Sequence, residues 1–107
     1  MDIIFIETPS FIRKFDKIGS IDGMFELQNE LTENPEKGSV VKGSGGARKI
    51  RMPLKGRGKS GGARILYYFV DLRGEVWFLD IFTKSDKANI SDYEKKKLYK
   101  FIKEVIK

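Results

Sequence analysis

Neither cysteine nor histidine occurs in this chain. Without cysteine there are no disulfides and no thiolate chemistry. Without histidine the commonest general acid/base and the commonest transition-metal ligand are both missing. A zinc site would have to be built from carboxylates alone, so neither a metal nor another cofactor is expected. No apolar run approaches the roughly 18 residues that a membrane span requires, and no membrane partner is expected. The opening "MDIIFIETPS" carries Asp2 and only a short apolar run, unlike a secretory signal. A cytoplasmic location is the expectation.

What is present is a globular mixture. Of 107 residues, 40% are hydrophobic and 34% charged, which suits one domain spanning residues 1–107. The net charge is +6 and the pI about 9.6, a balance that favours an anionic partner.

The pattern along the chain predicts β-α-α-β-β-β-α. Residues 2–7 form a β-branched and aromatic run, read as a strand. Thr8 and Pro9 suit a helix start, Phe11, Ile12, Phe15 and Ile18 recur at helical spacing, and Gly19 stops the helix. Met24, Leu27, Gln28 and Leu31 share one face of a second helix ending before Pro35, with Gly23, a poor helix former, near its start. The turn-rich stretch after it holds a small apolar centre at Val40 and Val41. Residues 47–54 alternate as a half-buried strand, with Ala47, Lys49, Arg51 and Pro53 on one side and Arg48, Ile50, Met52 and Leu54 on the other. Pro53 marks an edge or a bulge. Residues 63–71 and 75–82 read as a hairpin. Ser91 and Glu94 have capping-box spacing and start the last helix, whose apolar stripe runs through Leu98, Phe101, Ile102, Val105 and Ile106. The expected architecture is a small α+β domain with helices on one face of a mainly antiparallel sheet.

Residues 54–64, "LKGRGKSGGAR", end like a P-loop in "GRGKS". The pattern G-x-x-x-x-G-K-[ST] would need its first glycine at Pro53 and a helix after Ser60, and both fail. A wider window is more informative. Residues 42–64 carry eight Lys and Arg and no Asp or Glu, leaving thirteen basic and fifteen acidic residues for the rest of the chain. Solubilising charge is mixed in sign, whereas a one-sign stretch costs self-repulsion and points to an anion. The seven glycines of this window let backbone N–H groups approach phosphates. Tyr67, Tyr68, Phe69, Trp77, Phe78 and Phe82 stand nearby. Alternation sends one set to the core and leaves some of the other to stack on bases. Tyr68 shares a strand face with Arg64 and Leu66. Against these readings stand plain ones: a solvated hairpin loop, core packing for each aromatic, an ion pair for Arg64 and a wet lysine face on the last helix.

Taken together, the "GSGGARKIR" strand, the basic "KGRGKSGGAR" loop, the "ILYYF" strand and the "IFTKSDKANIS" passage into a terminal helix resemble the RelE/HigB-type toxins of bacterial type II toxin–antitoxin systems. The likeness runs over nearly the whole length. It implies a metal-independent endoribonuclease that cuts messenger RNA in the ribosomal A site, through attack of a ribose 2′-OH on the adjacent phosphorus. It also implies a cognate antitoxin with a helix-turn-helix DNA-binding domain, and contact with operator DNA only through the antitoxin complex.

The chemistry asks for a base, cations on the phosphate oxygens and an acid for the 5′-oxygen. Some members use His; the RelE branch relies on Lys, Arg and Tyr. By position, Arg64 is the candidate phosphate stabiliser, standing where the loop enters the strand. Lys55, Arg57 and Lys59 are the loop cations, with Lys55 or Lys59 as a base if neighbouring charges depress its pKa. Lys84 is a late active-site candidate. Arg48, Lys49, Arg51, Tyr68 and Phe82 are candidate RNA contacts, although Arg48 and Arg51 face opposite ways and do not both serve one site. Relatives often carry a Tyr near position 82; Phe82 cannot move a proton. Two alternatives stay open: a non-catalytic RNA- or ribosome-binding translation blocker, and a component of a co-repressor complex.

Overall fold

The structure, a computed structural model, describes residues 2–18, 20–54 and 58–107, and of 58–61 the backbone alone. Gly19 and the hairpin tip at 55–57 lie outside the described residues. The elements are β1 (Ile4–Glu7), α1 (Pro9–Ile18), α2 (Ile21–Glu33), β2 (Ser39–Val40), β3 (Arg48–Leu54), β4 (Gly58–Val70), β5 (Glu75–Phe82) and α3 (Asp92–Phe101). A 3-10 turn, Asp71–Arg73, joins β4 to β5, and a π turn, Ile102–Ile106, extends α3. Among the described residues no helix is long and apolar enough to cross a membrane.

The sheet order is β1-β5-β4-β3-β2, with β1 parallel to β5 and the other pairs antiparallel. Two departures from the expected order have clear causes. First, Val40 and its neighbour Ser39 pair with β3 as a two-residue strand, too short for an alternation signal. Second, β4 begins at Gly58, so much of the expected loop is strand. Glycine and serine carry little strand propensity, and the pairing partner β3 overrides it.

The helices occupy both faces of the sheet, not one as expected. Phe11 of α1 and Met24, Leu27 and Leu31 of α2 pack on Met52, Ile65, Tyr67, Val76, Phe78 and Ile81. Ile90, Ile102 and Ile106 pack on Ala47, Leu66, Leu79 and Phe82 across the sheet. Both faces of β4 and β5 are therefore apolar, which explains why "ILYYFV" and "VWFL" read as nearly unbroken hydrophobic runs. On β5 the alternation breaks once. Leu66 pairs with Asp80 but Tyr67 pairs with Phe78, so Leu79 is an extra residue in the ladder. A second register shift falls between Met52 and Leu54, at Pro53, which has no N–H to give the ladder.

Local chemistry fixes the corners. Thr8 donates its hydroxyl to the Phe78 carbonyl at 2.9 Å and accepts from the Phe11 N–H, which ties the start of α1 to β5. Ser20 caps α2 by accepting from Gly23, and Ser91 and Glu94 form the expected capping box. Tyr67, fully buried, donates to the Pro35 carbonyl at 2.8 Å and accepts from the Gly38 N–H at 2.9 Å. Burial pushes its phenol up, so it stays protonated. Arg48, the ladder partner of Tyr67, donates to the carbonyls of Gly38 and Glu36. Together these side chains staple the turn between α2 and β2 to the sheet. Beyond β5, Asp86 accepts from the Thr83 N–H at 2.8 Å and from its hydroxyl at 3.1 Å, closing a turn that carries Lys84.

Three outcomes follow from this packing. Tyr67→Phe strands a buried donor and acceptor and should cost about 1–3 kcal/mol in urea unfolding, despite keeping the ring. Gly23→Ala should also destabilise, by about 1–3 kcal/mol, against the helix-propensity trend. A Cβ at Gly23 would lie 2.4 Å from the Pro53 carbonyl oxygen. The hydrogen bonds from Thr83 hold the Asp86 carboxyl below its ordinary range. Its contribution is therefore complete above the unfolded carboxylate pKa and disappears as pH falls through the lower folded value. Carboxyl NMR titration of Asp86 should show a midpoint below that of a free aspartate; an ordinary midpoint would refute the turn.

Candidate nucleic-acid interface

Directly paired residues of an antiparallel ladder project from the same face. Arg51 pairs with Arg64, and Arg64 with Phe82, so these three form one row across β3, β4 and β5 on the α3 side. The neighbouring row on that face is Lys49, Leu66 and Asp80. Arg64 stands seven residues into β4, deeper than the loop–strand junction expected for it.

Arg51 is exposed, whereas Arg64 is 8% exposed. Arg64 donates from Nη1 to the Gly62 carbonyl at 3.0 Å, and among the described residues no Asp or Glu pairs with it. Burial first, and then the charge of Arg51, hold its guanidinium below the usual arginine range. An arriving anion relieves both effects.

The other sequence candidates divide clearly. Lys49 joins the arginine face. Arg48 lies on the opposite face and is committed to the turn after α2. Tyr68 shares the face but sits four residues along β4, about 13 Å away at the usual rise. Its ring is half-buried beneath Lys107, whose Nζ is 5.8 Å from the centroid. Phe82 is in the row but only 3% exposed, and Lys87 Nζ lies 4.6 Å from its ring centroid. Its face is covered by a cation and not open to a base. Lys84 is exposed in the turn that follows Phe82, at the end of the row. Lys55 and Arg57 lie outside the described residues, as does the side chain of Lys59.

Sequence reading missed a group beside this row. Asp80, set by the β5 bulge, accepts from Lys14 at 2.8 Å and lies 3.5 Å from Lys87. Lys87 also pairs with Glu94. Burial pushes the Glu94 carboxyl up, but hydrogen bonds from Lys87 and Ser91 outweigh it and hold the carboxyl below its ordinary range. Lys87 thus joins β5, the Lys84 turn and the α3 cap. Its "TKSDK" context looks like polar linker, and only the fold brings its partners together. Among the described residues no three potential metal ligands converge.

Residues 27–107 match the model of a family described as the RelE toxin of the RelE/RelB toxin–antitoxin system. Three solved structures share the fold. A double arginine mutant of the Escherichia coli toxin RelE in the free state is 18% identical, with a TM-score of 0.61 over 81% of this chain and 88% of that one. The intact Escherichia coli RelBE toxin–antitoxin complex contains a chain 20% identical, TM-score 0.59, over 82% of this chain and 99% of that one. The isolated Escherichia coli RelE toxin is 18% identical, TM-score 0.59, over 94% and 99%. An α+β fold of this topology, with an acid-free arginine row at the base of its long hairpin and a family match over β3, β4, β5 and α3, leads to one assignment: the chain belongs to the RelE toxin family.

Proposed function

We propose that this protein is a ribosome-dependent endoribonuclease that cuts messenger RNA in the A site. The observation that carries the reading is Arg64, a nearly covered guanidinium with no carboxylate partner among the described residues, set beside Arg51. Such a pair is unfavourable until an anion arrives, which is what a phosphate-stabilising site needs.

In this mechanism the 2′-oxygen forms a bond to phosphorus while the bond from phosphorus to the 5′-oxygen breaks. The products are a 2′,3′-cyclic phosphate and a free 5′-hydroxyl. Lys55 or Lys59 takes the 2′-OH proton, a role that requires neighbouring cations to depress its pKa. Arg64, with Arg51 outside it, stabilises the charge that grows on the phosphate oxygens. Lys84, at the end of the row, protonates the departing 5′-oxygen. Lys49 and the loop residue Arg57 are the further RNA contacts in this reading. No metal or other cofactor enters. The partners in this reading are messenger RNA, the ribosome and a cognate antitoxin with a helix-turn-helix domain. Operator DNA is reached through the antitoxin complex, and the setting is the cytoplasm.

One observation favours a second reading. Phe82 carries no exchangeable proton and is capped by Lys87, which suits a module that blocks translation without cutting. Primer extension on programmed ribosomes separates the two. The parent should yield new message ends, and Arg64→Ala should lower the cleavage rate by about 10²-fold or more with the fold intact. Full-length message together with halted peptide synthesis would establish the blocker instead.

A further inference from the structure

A cleft of about 530 Å³ lies beside the arginine row and has no part in the chemistry above. It forms where β5 loses its neighbour: β1 ends opposite Phe78, and among the described residues the later part of β5 has no strand partner on that edge. The start of α1 and the middle of α3 make its walls. Its size falls within the range of small-ligand sites.

The apolar lining is made by Leu66 and Leu79 of the sheet and by Leu98 and Phe101 of the α3 wall. The rim carries charge of both signs, but its carboxylates are already engaged. Asp80 is held by Lys14 and Lys87, and Glu94 by Lys87. Arg13 and Lys97, also on the rim, have no carboxylate partner among the described residues, so they set its sign. The cleft adjoins the arginine row through Leu66 and Asp80, which belong to the next row of the same face. Leu66 follows Arg64 by two residues on the same face, and Asp80 precedes Phe82 by two, an offset of about 7 Å along each strand.

An apolar lining under a cationic rim, one strand step from Arg64, matches the chemistry of a nucleotide. The base has a face to lay on hydrocarbon and the backbone has charge to place on the rim. We propose that this cleft is a nucleotide subsite. It takes one base of the RNA next to the phosphate held at Arg64, with a neighbouring phosphate on Arg13 and Lys97. The proposal rests on the RNA-cleaving reading. The α1 wall lies outside residues 27–107, so Arg13 belongs to the part of the chain that the family match does not cover.

The test uses the full chain with labelled Leu and Ile methyl groups, titrated with a hexaribonucleotide 2′-O-methylated throughout, which has no nucleophile. The methyls of Leu79 and Leu98 should shift, and those of Leu72, 98% exposed on the β4–β5 turn, should not. The double variant Arg13→Glu, Lys97→Glu changes only exposed positions. It should remove the cleft shifts and weaken binding about tenfold. On programmed ribosomes the same variant should need about tenfold more protein for half-maximal cutting, with the rate at saturation little changed, as expected for lost uniform binding. Cleft methyls that stay still, cleft shifts that persist in the double variant, or equal shifts with inorganic phosphate alone would each overturn the subsite. If the parent cuts message while the cleft stays silent, the subsite fails and the nuclease reading stands. If the cleft responds but nothing is cut, the nuclease reading fails and the subsite stands as an RNA contact.

Discussion

The pairing of Arg51 with Arg64 across β3 and β4 is the constraint around which the rest is arranged. Like charges placed directly opposite on a sheet are destabilising, by about 0.2–1 kcal/mol on exposed surface, and more where water is excluded. No acid intervenes between residues 42 and 64 to relieve them. The sheet tolerates the pair because the remainder of β4 is packed on both faces. Ile65 and Tyr67 lie under α1 and α2, while Leu66 lies under the C-terminal segment. A two-sided core on β4 holds in place a cross-strand arginine pair, of which Arg64 is on β4 and Arg51 on β3. The pair is what gives the row its demand for an anion.

That arrangement explains why the acids of the molecule are where they are. α2 carries four acids and no base, and it covers the face of the sheet opposite the arginine row. Glu36 is spent on Arg48, Asp80 on Lys14 and Lys87, and Glu94 on Lys87 and its own helix cap. Carboxylates near the row are thus already neutralised by lysines. Partly exposed pairs of this kind add only modest stability. Their larger effect is on potential, since they keep these carboxylates from pairing with Arg51 and Arg64.

How much of this could be read without coordinates differs by element. The strands of β4 and β5 and the start of α3 were plain, because β-branched and aromatic runs and an S-x-x-E cap are local signals. The opposite faces of Arg48 and Arg51 followed from strand period alone, and the register places Arg51 beside Arg64. Three things were not legible. The side of the sheet taken by α3 depends on which face of β4 is left uncovered, and "ILYYFV" is apolar on both. The strand character of Gly58 to Gly62 comes from pairing with β3, against its propensity. The burial of Phe82 comes from packing with Leu66, Leu79, Ile90 and Ile102, and Lys87, in a segment whose composition is that of a linker, lies over its ring.

The β5 bulge connects these points. With regular alternation, Asp80 and Phe78 would share a face and Asp80 would point into the α1 and α2 core. The extra residue at Leu79 moves Asp80 to the side of Leu66 and Phe82 and keeps Leu79 with them. One inserted residue therefore does two things. It keeps a charge out of an apolar core, where an unpaired carboxylate would be costly. It also sets an acid where Lys14 of α1 and Lys87 beside α3 can both reach it, bracing the two helices across the free edge of β5. The cleft exists because those helices are held apart at that edge and not packed together. Losing the Asp80 contacts would release Lys14 and Lys87 from β5, whereas the Arg51 and Arg64 pairing involves neither of them. Cleft and arginine row are thus adjacent in space but separable in origin: one follows from register on β5, the other from the charge pattern of β3 and β4.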